Sequence, residues 1–222
     1  MKYKGTYQDK FGTEETTVFN DFKEISFKLG DFNFVSNHFD DFKLHGYENF
    51  APEQLSRFTF SPIDIYQSDE KSYELKDFIL SFTVPVTILN LSTKHTSNSN
   101  LFIRLDNNRV DRFTEIFLEV VYDGKKFSAS SELFEIAADH INKQINGEFV
   151  IKNCFWCLYS DYSVSGQSLA GSMLCFLKYE KEYLNVKTKD EYMDLPNDIP
   201  VVQEIYYCNS YEPRKSGTGY RG

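Results

Sequence analysis

The sequence predicts an α+β fold: a mainly antiparallel β-sheet with one principal helix over about 131–146 and a short second helix over about 188–195. Three observations predict it. Short stretches through the first third alternate apolar and polar residues, the period of an antiparallel sheet with one wet face. Only one segment, Ser131 to Asn146, carries apolar residues at helical spacing over several turns. Turn signals built on Gly, Asp and Asn separate the strand candidates, with no internal repeat and no low-complexity block between them. Residues 1–222 read as a single β-rich domain.

Taken in order, Tyr3, Gly5 and Tyr7 share a face before a turn at Asp9-Lys10-Phe11-Gly12. Thr16 to Phe19 is β-branched and aromatic, Ile25 to Leu29 alternates, Gly30-Asp31 turns, and Phe32 to Phe34 alternates again. Residues 46–72 hold Pro52 and Pro62 and read as a long surface loop around a short strand near Phe58–Phe60. Tyr73 to Phe82 begins a long strand, and Pro85 places its continuation at an edge or a bulge. Thr93 to Asn100 is the most polar stretch and reads as a flexible loop. Leu101 to Leu105 and Ile116 to Tyr122 are strands, the second ending at Asp123-Gly124.

In the helix, Phe134, Ala137, Ala138, Ile141 and Ile145 form one face; Ser130 or Ser131 caps its start and Gly147 stands just past its end. Glu148 to Tyr162 reads as a strand, Ser163 to Ser172 with Gly166 and Gly171 as a connection, and Met173 to Tyr179 as the returning strand. Thr188 and Glu191 form a capping box for the second helix, and Pro196 follows it. Gln203 to Cys208 reads as the last strand, before the tail SYEPRKSGTGYRG.

Hydrophobic residues make up 41%, a modest share, but 21 Phe and 15 Tyr supply enough ring area for a sizeable core. The longest apolar run, FILSFTVPVTILNL, is broken by Ser81, Thr83, Pro85 and Thr87, too polar for a membrane span. The first residues carry no apolar signal region, so a cytoplasmic protein with reduced cysteines is expected. The net charge of -9 repels phosphate and anionic lipid. No nucleic-acid or membrane partner is expected; a basic protein is, attracted over a Debye length of about 8 Å. Plain solubility would account for the same charge.

Chemistry is concentrated in CFWCLYSDYS, residues 154–163. Cys154 and Cys157, with Cys175 and Cys208 further on, are the four thiols that zinc would take as tetrahedral ligands at about 2.3 Å, provided the sulfurs converge. On an extended strand Cys154 and Cys157 point to opposite faces, so a shared ion requires a bulge or knuckle. At most two thiols are expected to be close, Cys157 and Cys175 as cross-strand neighbours. The commoner role of such thiols is as small packed side chains. A nucleophilic role requires a cation, a helix N-terminus or a base nearby; none is visible beside Cys154 or Cys157, and Lys152 is the nearest cation in sequence.

His38 and His45 flank Asp40 and Asp41, a combination suited either to a metal or to a solvated loop. His95 falls in the polar stretch and His140 on the polar side of the helix. No nucleophile elbow, zincin, dinucleotide or P-loop signature occurs. Asp161 is either an acid or a turn organiser, the second being the usual role of an Asp beside Ser at a strand end. In the tail, Gly217-Thr218-Gly219 and Tyr220-Arg221 are expected to fold back beside 154–163, with Arg221 offering its guanidinium to Asp161. The rival role is a free terminus used for recruitment.

C-F-W-C-L-Y-S-D-Y-S at 154–163, G-S-M-L-C-F at 171–176, Y-L at 183–184 and G-T-G-Y-R-G at 217–222 resemble an uncharacterised bacterial family known by a domain-of-unknown-function label. G-T-Y-Q-D at 5–9 and F-D-D at 39–41 extend the resemblance to the first part of the chain. The resemblance implies a small bacterial cytoplasmic protein and carries no catalytic assignment. Small acidic single-domain bacterial proteins without enzyme signatures are often immunity proteins, an analogy of composition. The leading expectation is therefore a binding protein that neutralises a basic toxin. The alternative is a metal-binding or cysteine-dependent enzyme of unknown substrate. A third class, a small-molecule-binding domain, would show a deep apolar pocket with convergent polar groups.

Overall fold

The computed structural model describes residues 1–64, 71–107, 114–163 and 173–220 and is mostly antiparallel sheet with few helices. The chain opens with β1 (Lys2–Asp9), β2 (Gly12–Asn20), β3 (Ile25–Leu29) and β4 (Phe32–Ser36), each hydrogen-bonded to the next as the alternating pattern requires. A two-residue β5 (Lys43–Leu44), a short α1 (Pro52–Leu55), β6 (Thr59–Asp64) and β7 (Lys71–Lys76) complete one flank. The other flank is β8 (Ile79–Asn90), β9 (Thr96–Asp106), β10 (Glu115–Tyr122) and β11 (Lys125–Ser131). The sheet runs β11-β10-β9-β8-β1-β2-β3-β4-β5-β7-β6.

After it come α2 (Phe134–Ile145) and β12 (Phe149–Ile151), which pairs with the far end of β8. β13 (Ser160–Tyr162) and β14 (Met173–Cys175) form a separate small ribbon. Two short helices follow, α3 (Glu180–Asn185) and α4 (Lys189–Met193).

One face of the sheet is core. Tyr7, Val18, Phe27, Phe34, Leu80, Ile103 and Leu118 are all essentially inaccessible to solvent, and rings stack across strands, as with Phe27 and Phe34 at 5.0 Å between centroids. On α2 the buried residues are Phe134, Ala137, Ala138, Ile141 and Ile145, the stripe that its 3.6-residue period dictates. Each large side chain buried there contributes about 1.5–3 kcal/mol. The same core takes in Phe155, Trp156, Tyr162, Val202 and Ile205, so the C-terminal part closes over the sheet's inner face. Gln203 ties the two regions by donating its side-chain N–H to the Lys23 and Asn37 carbonyls, each at 2.8 Å.

Several expectations are corrected. The strand begun at Tyr73 breaks at Asp77, whose φ of 58° turns the chain, giving β7 and β8 on opposite flanks of the sheet. The polar 93–100 stretch is largely strand: β9 starts at Thr96 and pairs with β8 from Leu89 onward. Backbone ladders form there without an apolar face because that end of the hairpin stands in water. Polar β11 is a further strand that composition hid. Pro85 is tolerated in β8 because β9 flanks it on one side, while β1 pairs only as far as Phe82 and β12 only from Ile88.

The helix starts at Phe134 rather than Ser131, which ends β11, and the N-cap position is Leu133 with no side-chain cap. Its C-terminal end matches expectation: Asn146 and Gly147 both have positive φ. The capping box of Thr188 and Glu191 is present at α4. The 148–162 strand is only β12 and β13, and 203–208 forms no strand. The connection at 164–172, with Gly166 and Gly171, lies outside the described residues, as does Arg221.

Candidate functional site

Residues 153–162 are buried without interruption, yet only β13 at their end is strand. A segment enclosed on every side shows no alternation, and its backbone must find partners elsewhere. The C-terminal segment supplies them. The N–H groups of Cys154, Phe155 and Leu158 donate to the carbonyls of Tyr206, Glu204 and Glu212 at 2.8, 3.0 and 2.8 Å. In return, the Arg214 N–H reaches the Trp156 carbonyl at 3.1 Å, and Cys157 bridges to Pro213.

The same wrapping sets the segments that carry the cysteines beside one another. All four cysteines are free. Cys175 lies opposite Ser160, and Cys157 opposite Pro213, so Cys157 and Cys175 are not the cross-strand pair expected. Instead Cys154 has Cys157, Cys175 and Cys208 as electrostatic neighbours. Burial raises the Cys154 thiol far above its ordinary value; the three neighbouring thiols add to the rise and the Ser160 hydroxyl opposes it. Burial likewise raises Cys175. Thiols held neutral are poor nucleophiles. Lys152 does not activate them: its ammonium lies over the rings of Tyr207 and Tyr211, 5.4 and 5.7 Å from the centroids. Among the described residues, no three His, Cys, Asp or Glu side chains are already grouped to hold a metal ion. That includes His38 and His45. The turn at His38 is organised instead by Ser36, whose Oγ accepts the His38 N–H at 2.8 Å and donates to the Asp41 carboxylate.

Asp161 is 1% exposed, and both its carboxylate oxygens accept hydrogen bonds. The Tyr162 N–H donates to Oδ1 at 2.9 Å and the Tyr183 hydroxyl to Oδ2 at 2.8 Å. Arg214 donates to the Tyr183 oxygen at 3.5 Å and to the Ser160 carbonyl. Glu204, 4% exposed, accepts from the Tyr162 hydroxyl at 3.0 Å. Burial pushes the Glu204 carboxyl up to about 7 against those hydrogen bonds, and Asp40 and Glu135 push it further. These hydrogen bonds hold the β13 region in place.

The tail lies over this network. Lys187 Nζ donates to the Gly217 carbonyl at 2.6 Å, and the Tyr220 ring meets Tyr192 at 5.4 Å between centroids. Gly219 is buried at φ 70°, and a Cβ there would stand 2.5 Å from the Tyr183 hydroxyl oxygen. Only glycine permits that approach.

The outer face of the sheet is different in character. A trough of about 710 Å³ crosses β2, β1, β8 and β9, lined by Lys4, Thr17, Phe19, Lys28, Thr83 and Phe102 among others. Phe102 meets Phe117 edge-on at 6.3 Å, and Lys2 lies 5.5 Å from the Phe19 centroid. On this face the rings are set among hydroxyls and charges. A second hollow of about 370 Å³ lies between α2 and residues 214–216 and is lined partly by Asn142, Trp156 and Arg214.

Sequence reasoning found the cysteines and Asp161 but missed Tyr183, Glu204 and Arg214. The signal for Glu204 was a lone acid in the apolar run VVQEIYYC. The trough left no local signal, because its residues come from strands that meet only on folding.

No helix among the described residues is long and apolar enough to cross a membrane. No curated protein and no solved structure matches the chain. Residues 1–160 match a family of unknown function (DUF6304), a span that takes in the sheet, α2 and the Cys154–Cys157 turn. The chain belongs to that family.

Proposed function

We propose that the chain is a binding protein whose partner is a basic protein docked on the outer face of the main sheet, in the manner of an immunity protein that neutralises a toxin. The observation that carries this reading is the trough over β2, β1, β8 and β9, with Phe19 and Phe102 among threonines and charged side chains. Aromatic anchors in a polar surround contribute large contact area at low entropic cost. The charge of -9 supports a basic partner, since it speeds encounter before contact is made. Within the trough Lys4 and Lys28 stand with Glu15, so the local contact is of mixed sign and the attraction is long-range.

Thr83→Arg puts a long cation into the middle of the trough and leaves the core face of β8 untouched. The wild-type chain, immobilised, should retain a basic protein from its native lysate at low salt and release it as salt rises. The Thr83→Arg chain, with an unchanged melting temperature, should lose it. Retention of the same protein by both chains would refute docking in the trough.

A further inference from the structure

Strand register aligns one row of side chains across the outer face of the sheet. Thr83 of β8 pairs with Phe102 of β9. Gly5 pairs with Phe82, so the next step of that ladder sets Lys4 of β1 beside Thr83. Lys4 itself pairs with Thr17 of β2. Val18 pairs with Phe27, which sets Lys28 of β3 beside Thr17. Phe82, Val18 and Phe27 are buried in the core, so alternation turns their neighbours outward. The row reads Phe102, Thr83, Lys4, Thr17, Lys28, and every member lines the trough.

Other cations of this face have acidic partners: Arg104 is paired with Asp106 and Lys126 with Glu119. Among the described residues, Lys4 and Lys28 have no such ion pair. The acid in the trough's lining, Glu15, is a row away, opposite Thr6. An acid at position 17 would pair with both lysines across the strands, and threonine stands there instead. Neighbouring strands lie about 4.8 Å apart, so the two exposed lysine stems rise about 10 Å apart with Thr17 between them. Such stems are long and flexible enough to bring both ammonium groups over Thr17. Ammonium groups only donate hydrogen bonds, and a hydroxyl can donate as well. Within a chain of net charge -9, this row offers donors to an anion.

A basic partner that laid its own lysine or arginine on this row would set like charges together, which costs affinity. We propose that the docked partner places an aspartate or glutamate side chain between Lys4 and Lys28, which donate to its carboxylate over Thr17. Phe102 at the end of the row and Phe19 on β2 flank the contact and help to exclude water from it. The proposal rests on docking in the trough and adds the chemistry of the contact. Net charge brings a basic protein near, and one acidic residue on that protein fixes where it sits.

Two double variants carry the test, and each makes the chain two charges more negative. One is Lys4→Gln with Lys28→Gln in the row; the other is Lys94→Gln with Lys125→Gln, at exposed positions outside the trough. The protein that the wild-type chain retains is purified and its affinity for each chain measured. Long-range attraction alone makes both variants bind a basic protein more tightly. The proposal predicts that the row variant binds it at least about tenfold more weakly and that the other variant does not. A carbodiimide, which joins amines directly to carboxylates, should link Lys4 or Lys28 of the wild-type chain to an aspartate or glutamate of the partner. The proposal is overturned if the row variant binds as tightly as the other variant, or if links form only at other lysines. When Thr83→Arg weakens the complex and the row variant does not, the carboxylate contact alone falls; when neither weakens it, docking in the trough falls too. A wild-type chain that retains nothing overturns both. The links are read on the wild-type chain, so they decide the matter even if a variant fails to fold.

Discussion

Glu204→Gln tests the reasoning about buried polar groups most sharply. Burial moves the Glu204 carboxyl from an ordinary 4.5 to about 7. Each tenfold in a proton equilibrium is about 1.4 kcal/mol, so the difference amounts to roughly 3 kcal/mol. Its sign follows from which state holds the proton. Between pH 4.5 and about 7 the folded chain keeps a proton on Glu204 that the unfolded chain has lost. Stability therefore falls as pH rises through that window and levels off above it.

Glutamine has no proton to lose, and its carbonyl still accepts from the Tyr162 hydroxyl. His38, Asp40, Glu132 and Glu135 stand near this position in both proteins. Urea denaturation should show the two proteins equally stable near pH 4.5. At about pH 8 the variant should be more stable by roughly 3 kcal/mol, or about 6–12 °C in melting temperature for a chain of this size. A gap that does not change with pH, or a variant less stable at about pH 8, would refute the account of Glu204.

Gly219→Ala should lower stability by about 1–3 kcal/mol, because it combines a strained φ with a Cβ 2.5 Å from the Tyr183 oxygen. A tail that is free in solution would instead give no change or a small gain, and thermal melts separate the two. Ile141→Ala, fully buried on α2, should cost about 2–5 kcal/mol, whereas Ile136→Ala, 42% exposed on the same helix, should stay within about 0.5 kcal/mol. Equal effects in denaturant would mean that α2 does not present the face described.

How far the sequence could be read followed from how local each signal was. The meander of β1 to β4 and the apolar face of α2 were legible because period and turn chemistry are written in adjacent residues. The fates of Thr96–Asn100 and of residues 153–159 were not. The first is a strand whose stability lies in its ladder to β8, invisible to hydropathy. The second is apolar because it is enclosed on all sides, and a run without alternation reads as a strand whether or not it is one. At the candidate sites, Cys154, Cys157, Cys175 and Cys208 stood out by type. Their surroundings depend on Tyr206 meeting Cys154 across 52 residues of sequence separation, which no spacing rule encodes. Asp161 was legible as a turn acid, but its partners Tyr183 and Arg214 arrive only through the folded C-terminal part.

The central claim, that a basic partner sits on the outer sheet face, is tested most directly by photo-crosslinking from within it. A photoreactive phenylalanine analogue replaces Phe102 in the trough or, as a control, Phe11, which is 65% exposed at the β1–β2 turn. The account predicts one discrete adduct from position 102 in the native cell, containing a basic protein, and none of that adduct from position 11. No adduct at 102, or the same adduct from both positions, would contradict it.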